Sequence, residues 1–166
     1  MKKLFTLLCV TSLAFAVSSC ANKRKNQYAG VDGDYVNGTP LPDRKDGSAF
    51  FSDNVTKGQF SPVYFGLDSS SVSAGEMNKI DQVAAAMKGG SKTLIVAGFT
   101  DERGTDEYNR ALGERRALAV RQALIDKGVN ANLIQTVSFG KEMPADSGSG
   151  EAAWAKNRRV EFGVAK

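Results

Sequence analysis

The sequence predicts an α+β fold: two main helices packed on one face of a mixed four-stranded sheet, in the order β-α-β-α-β-β, preceded by a flexible tether. Three observations carry this expectation. Thr93–Phe99 contains the apolar run Leu94–Ile95–Val96–Ala97, and a Gly-bounded charged loop leads from it into about six turns of helical period. A second helical stretch lies upstream, bracketed by Ser73 and Gly89–Gly90. Two further short apolar runs, Leu133–Phe139 and Val160–Val164, close the chain with no long helix between them.

The chain opens on Met1–Lys2–Lys3, and Leu4 to Val17 is mostly apolar. At ~1.5 Å per residue that segment reaches about 21 Å as a helix, short of a ~30 Å hydrocarbon core. Residues 1–19 therefore read as a signal peptide and not as a membrane span. The segment ends in Val17–Ser18–Ser19–Cys20, which resembles a bacterial lipobox with Cys20 as the lipidated residue. Cys9 would leave with the signal, so Cys20 would be the sole thiol of the mature chain and no intramolecular disulfide could form. A thioether at Cys20 would also remove a reactive thiol from an oxidising compartment.

Residues 20–59 read as a lipidated N-terminus and tether. They hold Asn22–Lys23–Arg24–Lys25–Asn26, several glycines, Pro40 and Pro42, without a sustained apolar period. The basic cluster suits either anionic headgroups or plain solvation. Ala49–Phe50–Phe51 is the one part of this stretch with the character of an arm that packs on the domain.

The folded domain is expected over residues 60–166. Gln59–Phe65 forms its first strand and Gly66–Ser71 a polar loop. Ser73-x-x-Glu76 is a capping box, and Met77, Ile80, Ala84 and Met87 give the first helix its apolar face. Gly89–Gly90 stops it. Thr93–Phe99 is the second strand. Thr105 is the N-cap of the second helix, with Asp106 and Glu107 at its positive end and Gly128 after its last residue. Leu133–Phe139 and Val160–Val164 are the last two strands, and Glu151–Asn157 is a helical turn in which Trp154 anchors the final strand.

Composition narrows the function. With 42% hydrophobic and 24% charged residues the chain is globular in character. Of 22 basic residues, Lys2 and Lys3 fall in the signal peptide, which leaves 20 against 18 acidic, or +2. Such near balance lacks the clustered positive charge of a nucleic-acid footprint. The chain has no histidine, which removes Ser–His–Asp and Cys–His catalysis and His-based zinc sites. Neither a Walker A loop nor a Gly-x-Gly-x-x-Gly fingerprint occurs. Asp101 and Glu102 are adjacent carboxylates on a loop, and neighbours there usually point apart. The expectation is a binding module without cofactor, metal or catalysis.

The second helix holds the sharpest candidate. At about 100° per residue, Tyr108, Leu112, Ala119, Val120, Ala123 and Leu124 form one apolar stripe, and Arg116 falls near its middle. Buried unpaired, a guanidinium there costs several kcal/mol. Either it snorkels to water or it faces a cavity holding an anionic group. Arg116 lies about 16 Å along the helix from Thr105, so the Asp101 loop must fold down over the helix or a ligand must bridge the two. As a charge on an apolar stripe, Arg116 is expected to be replaceable by alanine without loss of stability, unless it pairs permanently with a protein carboxylate, in which case its removal would cost about 3–5 kcal/mol. A site holding both Asp and Arg suits a zwitterion.

Gly98-x-Thr100–Asp101, then Asn109-x-x-Leu112–Gly113-x-x-Arg116–Ala117-x-x-Val120, resembles the peptidoglycan-binding signature of OmpA-like C-terminal domains. The fuller string Asp101–Glu102–Arg103–Gly104–Thr105-x-Glu107–Tyr108–Asn109 is more similar still to the peptidoglycan-associated lipoprotein (Pal) family within it. Val63–Tyr64–Phe65–Gly66-x-Asp68, Gly140–Lys141–Glu142-x-Pro144–Ala145 and Ala155–Lys156–Asn157–Arg158–Arg159–Val160 extend the likeness from about Ser61 to the C-terminus.

The resemblance implies an outer-membrane lipoprotein, anchored through the lipid on Cys20, whose periplasmic domain binds the meso-diaminopimelate stem peptide of peptidoglycan. It implies that Asp101 accepts from the ligand ammonium and that Arg116 clamps its carboxylate, with Arg103, Leu67 and Asp68 lining the same pocket. Asn109 and Leu112 would shape loop and helix. Arg158 and Arg159 alternate across a strand, and Arg159 is taken as the supporting residue. The family also implies a TolB-like periplasmic partner within a Tol-Pal system. An envelope adaptor with weak or no wall binding, and a purely structural domain, remain as alternatives. One departure is Phe99, where family members usually carry His. Phe can substitute if the imidazole packs, and binding weakens if it touches the ligand.

Overall fold

The computed structural model describes residues 35–36, 39–40 and 47–166; the expected signal peptide, Cys20 and most of the tether lie outside the described residues. Strands β1 (Tyr35–Val36) and β2 (Thr39–Pro40) pair with each other. The main sheet has five strands: β3 (Val55–Lys57), β4 (Val63–Tyr64), β5 (Leu94–Phe99), β6 (Ile134–Gly140) and β7 (Arg159–Ala165). Helices α1 (Met77–Met87), α2 (Asp106–Asp126) and α3 (Glu151–Asn157) complete it.

β5 is the hub. It runs parallel to β6 and antiparallel to β7, and every one of its residues is buried, which is why it reads as an unbroken apolar run. β7 carries β3 along one end of its outer edge and β4 along the other, Val55 opposite Ala165 and Val63 opposite Val160. The mixed sheet with two main helices on one face is as the sequence predicts. The fifth strand comes from the segment assigned to the tether.

Each strand alternates between two cores. On the helix face, Leu94, Val96, Val160, Phe162 and Val164 meet Ile80, Val83, Val120 and Leu124. On the opposite face, Ile95, Ala97, Phe99 and Phe139 are capped by Phe50, which is fully buried on a short 3-10 turn, Gly47–Phe51. The expected boundary at residue 60 is therefore corrected: packed structure begins at least ten residues earlier. A sheet face with this much apolar surface needs a cover, and the arm supplies it.

α2 packs against β5 at unusually short range. A Cβ on Gly98 would lie 2.0 Å from the Gly113 carbonyl oxygen, and one on Gly113 would lie 2.3 Å from Ser138 Oγ. Both positions need glycine so that backbone can meet backbone. The close crossing carries the next turn of α2 alongside the end of β5. Thr105 caps α2 as expected, accepting from the Tyr108 N–H at 3.2 Å.

Two local expectations fail. Ser73 makes no side-chain cap, because Ala74–Glu76 is a 3-10 turn and α1 begins only at Met77. Glu76 instead accepts from the Tyr64 N–H at 2.7 Å and from Lys79 Nζ at 2.8 Å, tying α1 to β4. The buried face of α2 is also rotated from the stripe read off the sequence: Tyr108 is exposed, whereas Asn109, Gly113, Arg116 and Arg121 are buried. Apolar counting misplaces a face whose polar members are buried by hydrogen bonding.

Candidate functional site

A cavity of about 360 Å³ lies beyond the carboxyl end of β5, against the first three turns of α2. The 66–71 loop contributes Leu67 and Asp68; the β5–α2 loop contributes Thr100, Asp101, Arg103 and Gly104; the helix contributes Tyr108, Asn109, Leu112 and Arg116. Of the eight residues expected to line or support a pocket, seven therefore line one cavity. The place follows from topology, because a strand end and a helix start leave a crevice in an open sheet.

Arg116 is fully buried and reaches three backbone carbonyls. Its Nε donates to Ser69 O at 2.8 Å, Nη1 to Phe99 O at 2.9 Å and Nη2 to Gly66 O at 3.1 Å. It neither snorkels nor pairs with a protein carboxylate among the described residues; carbonyl dipoles hold its charge. A guanidinium has five N–H donors, so these three bonds leave one N–H unused on each terminal nitrogen. Burial pushes its pKa down to about 10, with the Asp101 charge pulling the other way, and it stays a cation at neutral pH.

Asp101 is nearly buried and fully engaged. Arg103 donates to it from Nη2 at 2.6 Å, from Nε at 3.2 Å and from its backbone N–H at 3.2 Å, and Arg158 Nη1 lies 3.3 Å away. Burial by itself would raise the carboxyl pKa, but the hydrogen bonds from Arg103 and Arg158 outweigh it and hold the group below its ordinary value. Arg103 also stacks on Trp154, its Cζ 4.0 Å from the ring centroid, and the indole N–H donates to Glu102 at 2.9 Å. Trp154 thus braces the 101–104 loop through its ring, while its carbonyl accepts from the Arg158 N–H at 3.0 Å just before β7.

Asp68 stands at φ +52°, a left-handed conformation that Asp tolerates better than most residues, and accepts a hydrogen bond from the Tyr108 hydroxyl. Asn109 donates to the carbonyls of Arg103 at 2.8 Å and Thr105 at 3.0 Å, which fixes the loop against the helix. Glu114, on the β6 side of α2, accepts from Thr136 Oγ1 at 2.9 Å.

Arg159 is the misplaced residue. β7 turns Val160, Phe162 and Val164 to the helix face, so Arg159 faces the other side, where it bonds Glu161 at 2.6 Å and lies 3.9 Å over the Phe99 ring. Arg158 is the residue on the cavity side. It bonds Asp101, the Phe65 carbonyl at 3.0 Å and Glu151 at 2.5 Å. The alternation of the two arginines is visible in sequence, but the face is set by where β7 begins.

Phe99 shares that opposite face, stacked on Phe139 at 5.2 Å between centroids, and does not line the cavity. Its role is packing. Thr100, Gly104, Tyr108 and Arg158 were not singled out from sequence as site residues, although the first three fall within the quoted motif.

Residues 64–158 match the OmpA family. A peptidoglycan-associated lipoprotein of Pseudomonas aeruginosa is 44% identical over 117 residues, 70% of this chain and 68% of the relative. Another, from Pasteurella multocida, is 38% identical over 161 residues, 96% of this chain and 97% of the relative. Among solved structures, the peptidoglycan-associated lipoprotein from Burkholderia pseudomallei superposes with a TM-score of 0.61 at 44% identity, covering 62% of this chain and 88% of that one. The C-terminal domain of Helicobacter pylori MotB gives a TM-score of 0.59 at 27% identity, over 64% of this chain and 84% of that one.

Proposed function

The chain belongs to the OmpA family, and on that premise we propose that it is an outer-membrane lipoprotein whose periplasmic domain holds peptidoglycan non-covalently by the diaminopimelate of the stem peptide. One observation carries this: a single cavity gathers two carboxylates, Asp68 and Asp101, and two guanidinium groups, Arg103 and Arg116. A zwitterionic head finds an opposite charge at each end there. The remaining N–H groups of Arg116 form a fork for the ligand carboxylate, in the geometry arginine offers to planar anions. The ammonium goes to Asp101 and Asp68. Arg103, whose side chain is 34% exposed, gives up part of its contact with Asp101 to admit it.

Calorimetric titration of the full chain with a diaminopimelate-containing muropeptide, run beside its lysine counterpart, tests this reading. Lysine-type stems lack the second carboxylate and should bind at least tenfold more weakly. Asp101→Asn should also weaken binding about tenfold or more, because a charge-assisted hydrogen bond contributes about 1.5–3 kcal/mol. Equal affinity for the two stems would refute the proposal.

The anchor is the lipid on Cys20. Mass spectrometry of membrane-extracted protein should find an acylated Cys20 at the mature N-terminus, and a soluble protein beginning elsewhere would exclude it.

The same rim suits a second partner. Leu67 is 61% exposed and Tyr108 42% exposed at the cavity mouth, an apolar edge for a TolB-like periplasmic protein in a Tol-Pal-type system. Docking there would compete with the wall. If muropeptides fail to bind while such a protein does, the chain is an envelope adaptor.

A further inference from the structure

Thr100, the first residue after β5, is 3% exposed, and its hydroxyl is the one buried side-chain polar atom without a hydrogen-bond partner among the described residues. Its backbone is settled, with the N–H donating to Gly140 O at 2.8 Å. Burying a hydroxyl unmatched is costly, and native proteins keep few such groups without a use.

Thr100 borders two cavities. One is the charged pocket above. The other, about 180 Å³, lies across the 101–104 loop, between Glu102, the connection after β6 at Lys141 and Asp146, and Asn157 at the end of α3.

The charges around this second cavity are answered from within the protein. Lys141 Nζ donates to Gly104 O at 3.0 Å and pairs with Asp106 at 2.9 Å. Asp146 accepts from Gly148 N at 2.9 Å and from Lys156 Nζ at 2.8 Å. Glu102 accepts from the Trp154 indole. The Asn157 amide accepts from the backbone N–H groups of Ala145 and Asp146 and donates to Asp146 O. The one unmet polar group among the residues around it is the neutral hydroxyl of Thr100, which can both donate and accept.

We propose that the second cavity is a subsite for a neutral hydrogen-bonding group of the wall polymer, an amide or a sugar hydroxyl, and that Thr100 is the residue that recognises it. This rests on the function proposed above: Thr100 borders both cavities, so a polymer held by its zwitterionic head in the first has the second within reach of its adjoining part. Peptide amide and sugar hydroxyl share this chemistry, and fragments of increasing size separate them.

Thr100→Val keeps the shape and removes the hydroxyl. Wild type and variant, as full chains, would be titrated by NMR with free meso-diaminopimelate, with the stem tripeptide and with the disaccharide tripeptide, and their thermal midpoints recorded without ligand. The free variant should be as stable as wild type or more so, because it loses an unmatched polar group. The loss of affinity should grow with the fragment and reach about fivefold to tenfold, as one hydrogen bond of about 1 kcal/mol allows. A penalty that appears with the tripeptide assigns the group to peptide, and one confined to the disaccharide tripeptide assigns it to sugar. An equal penalty on all three ligands places the hydroxyl in the first cavity and overturns the inference, as does no penalty or a destabilised free variant. Failure of wild type to bind any of them overturns the function proposed above along with the inference built on it.

Discussion

Arg116→Ala should destabilise the ligand-free protein by about 3–5 kcal/mol, the loss typical when a buried charged group is removed from its partners, and should abolish measurable muropeptide binding. This reverses the expectation from sequence, in which the guanidinium was a charge set at a cost among apolar neighbours. In the structure it is the pin that holds three carbonyls, two from the 66–71 loop and one from the end of β5. Alanine leaves those oxygens facing a cavity, and each buried acceptor without a partner costs about 1–3 kcal/mol unless water enters. Arg116→Met separates the effects: it restores much of the volume but none of the donors, so it should remain nearly as destabilised as alanine. Urea unfolding monitored at Trp154 would measure both variants. Retention of wild-type stability by Arg116→Ala would show that the carbonyls are solvated as well without it.

Phe50→Ala should cost about 3–5 kcal/mol, the range for deleting a buried phenylalanine ring, although Phe50 lies in a stretch whose composition reads as linker. The ring is fully buried, 5.8 Å from Phe139 and 6.5 Å from Phe99 between centroids, and a Cβ on Gly163 would come within 3.0 Å of it. A chain beginning at Phe60 should lose at least as much, since it also gives up β3 and its pairing with Gly163–Ala165. It should unfold at lower urea with a reduced m-value, because less surface is buried. A fragment from Phe60 that matches the stability of the full chain would show that the arm only rests on the sheet.

The two outcomes share a cause. β5 is buried on both faces, so successive residues at its end meet different layers: Gly98 meets α2, Phe99 meets the arm, and Thr100, just beyond the strand, meets the cavities. The Phe99 ring packs on the arm side and is not among the residues that line the cavity.

The sequence alone determined the two main helices, the strands from Val63 onward and their order, because those follow from short-range signals. Apolar runs mark β5, β6 and β7, Thr105 marks the start of α2, and Gly128 marks its end. Through the family resemblance it also pointed to most of the cavity: Asp101, Arg103, Asn109, Leu112 and Arg116 lie in one continuous strand-loop-helix unit, whose motif is legible without the distant segments. Only the tertiary structure decided what depends on contacts between distant segments. Arg116 looked costly because the carbonyls that solvate it come from residues 47 and 50 positions away. Arg158 and not Arg159 meets Asp101 because the starting register of β7 selects the face, and a shift of one residue exchanges them. Phe50 belongs to the fold because the far face of the sheet needs a cover, a requirement that exists only once the strands are paired.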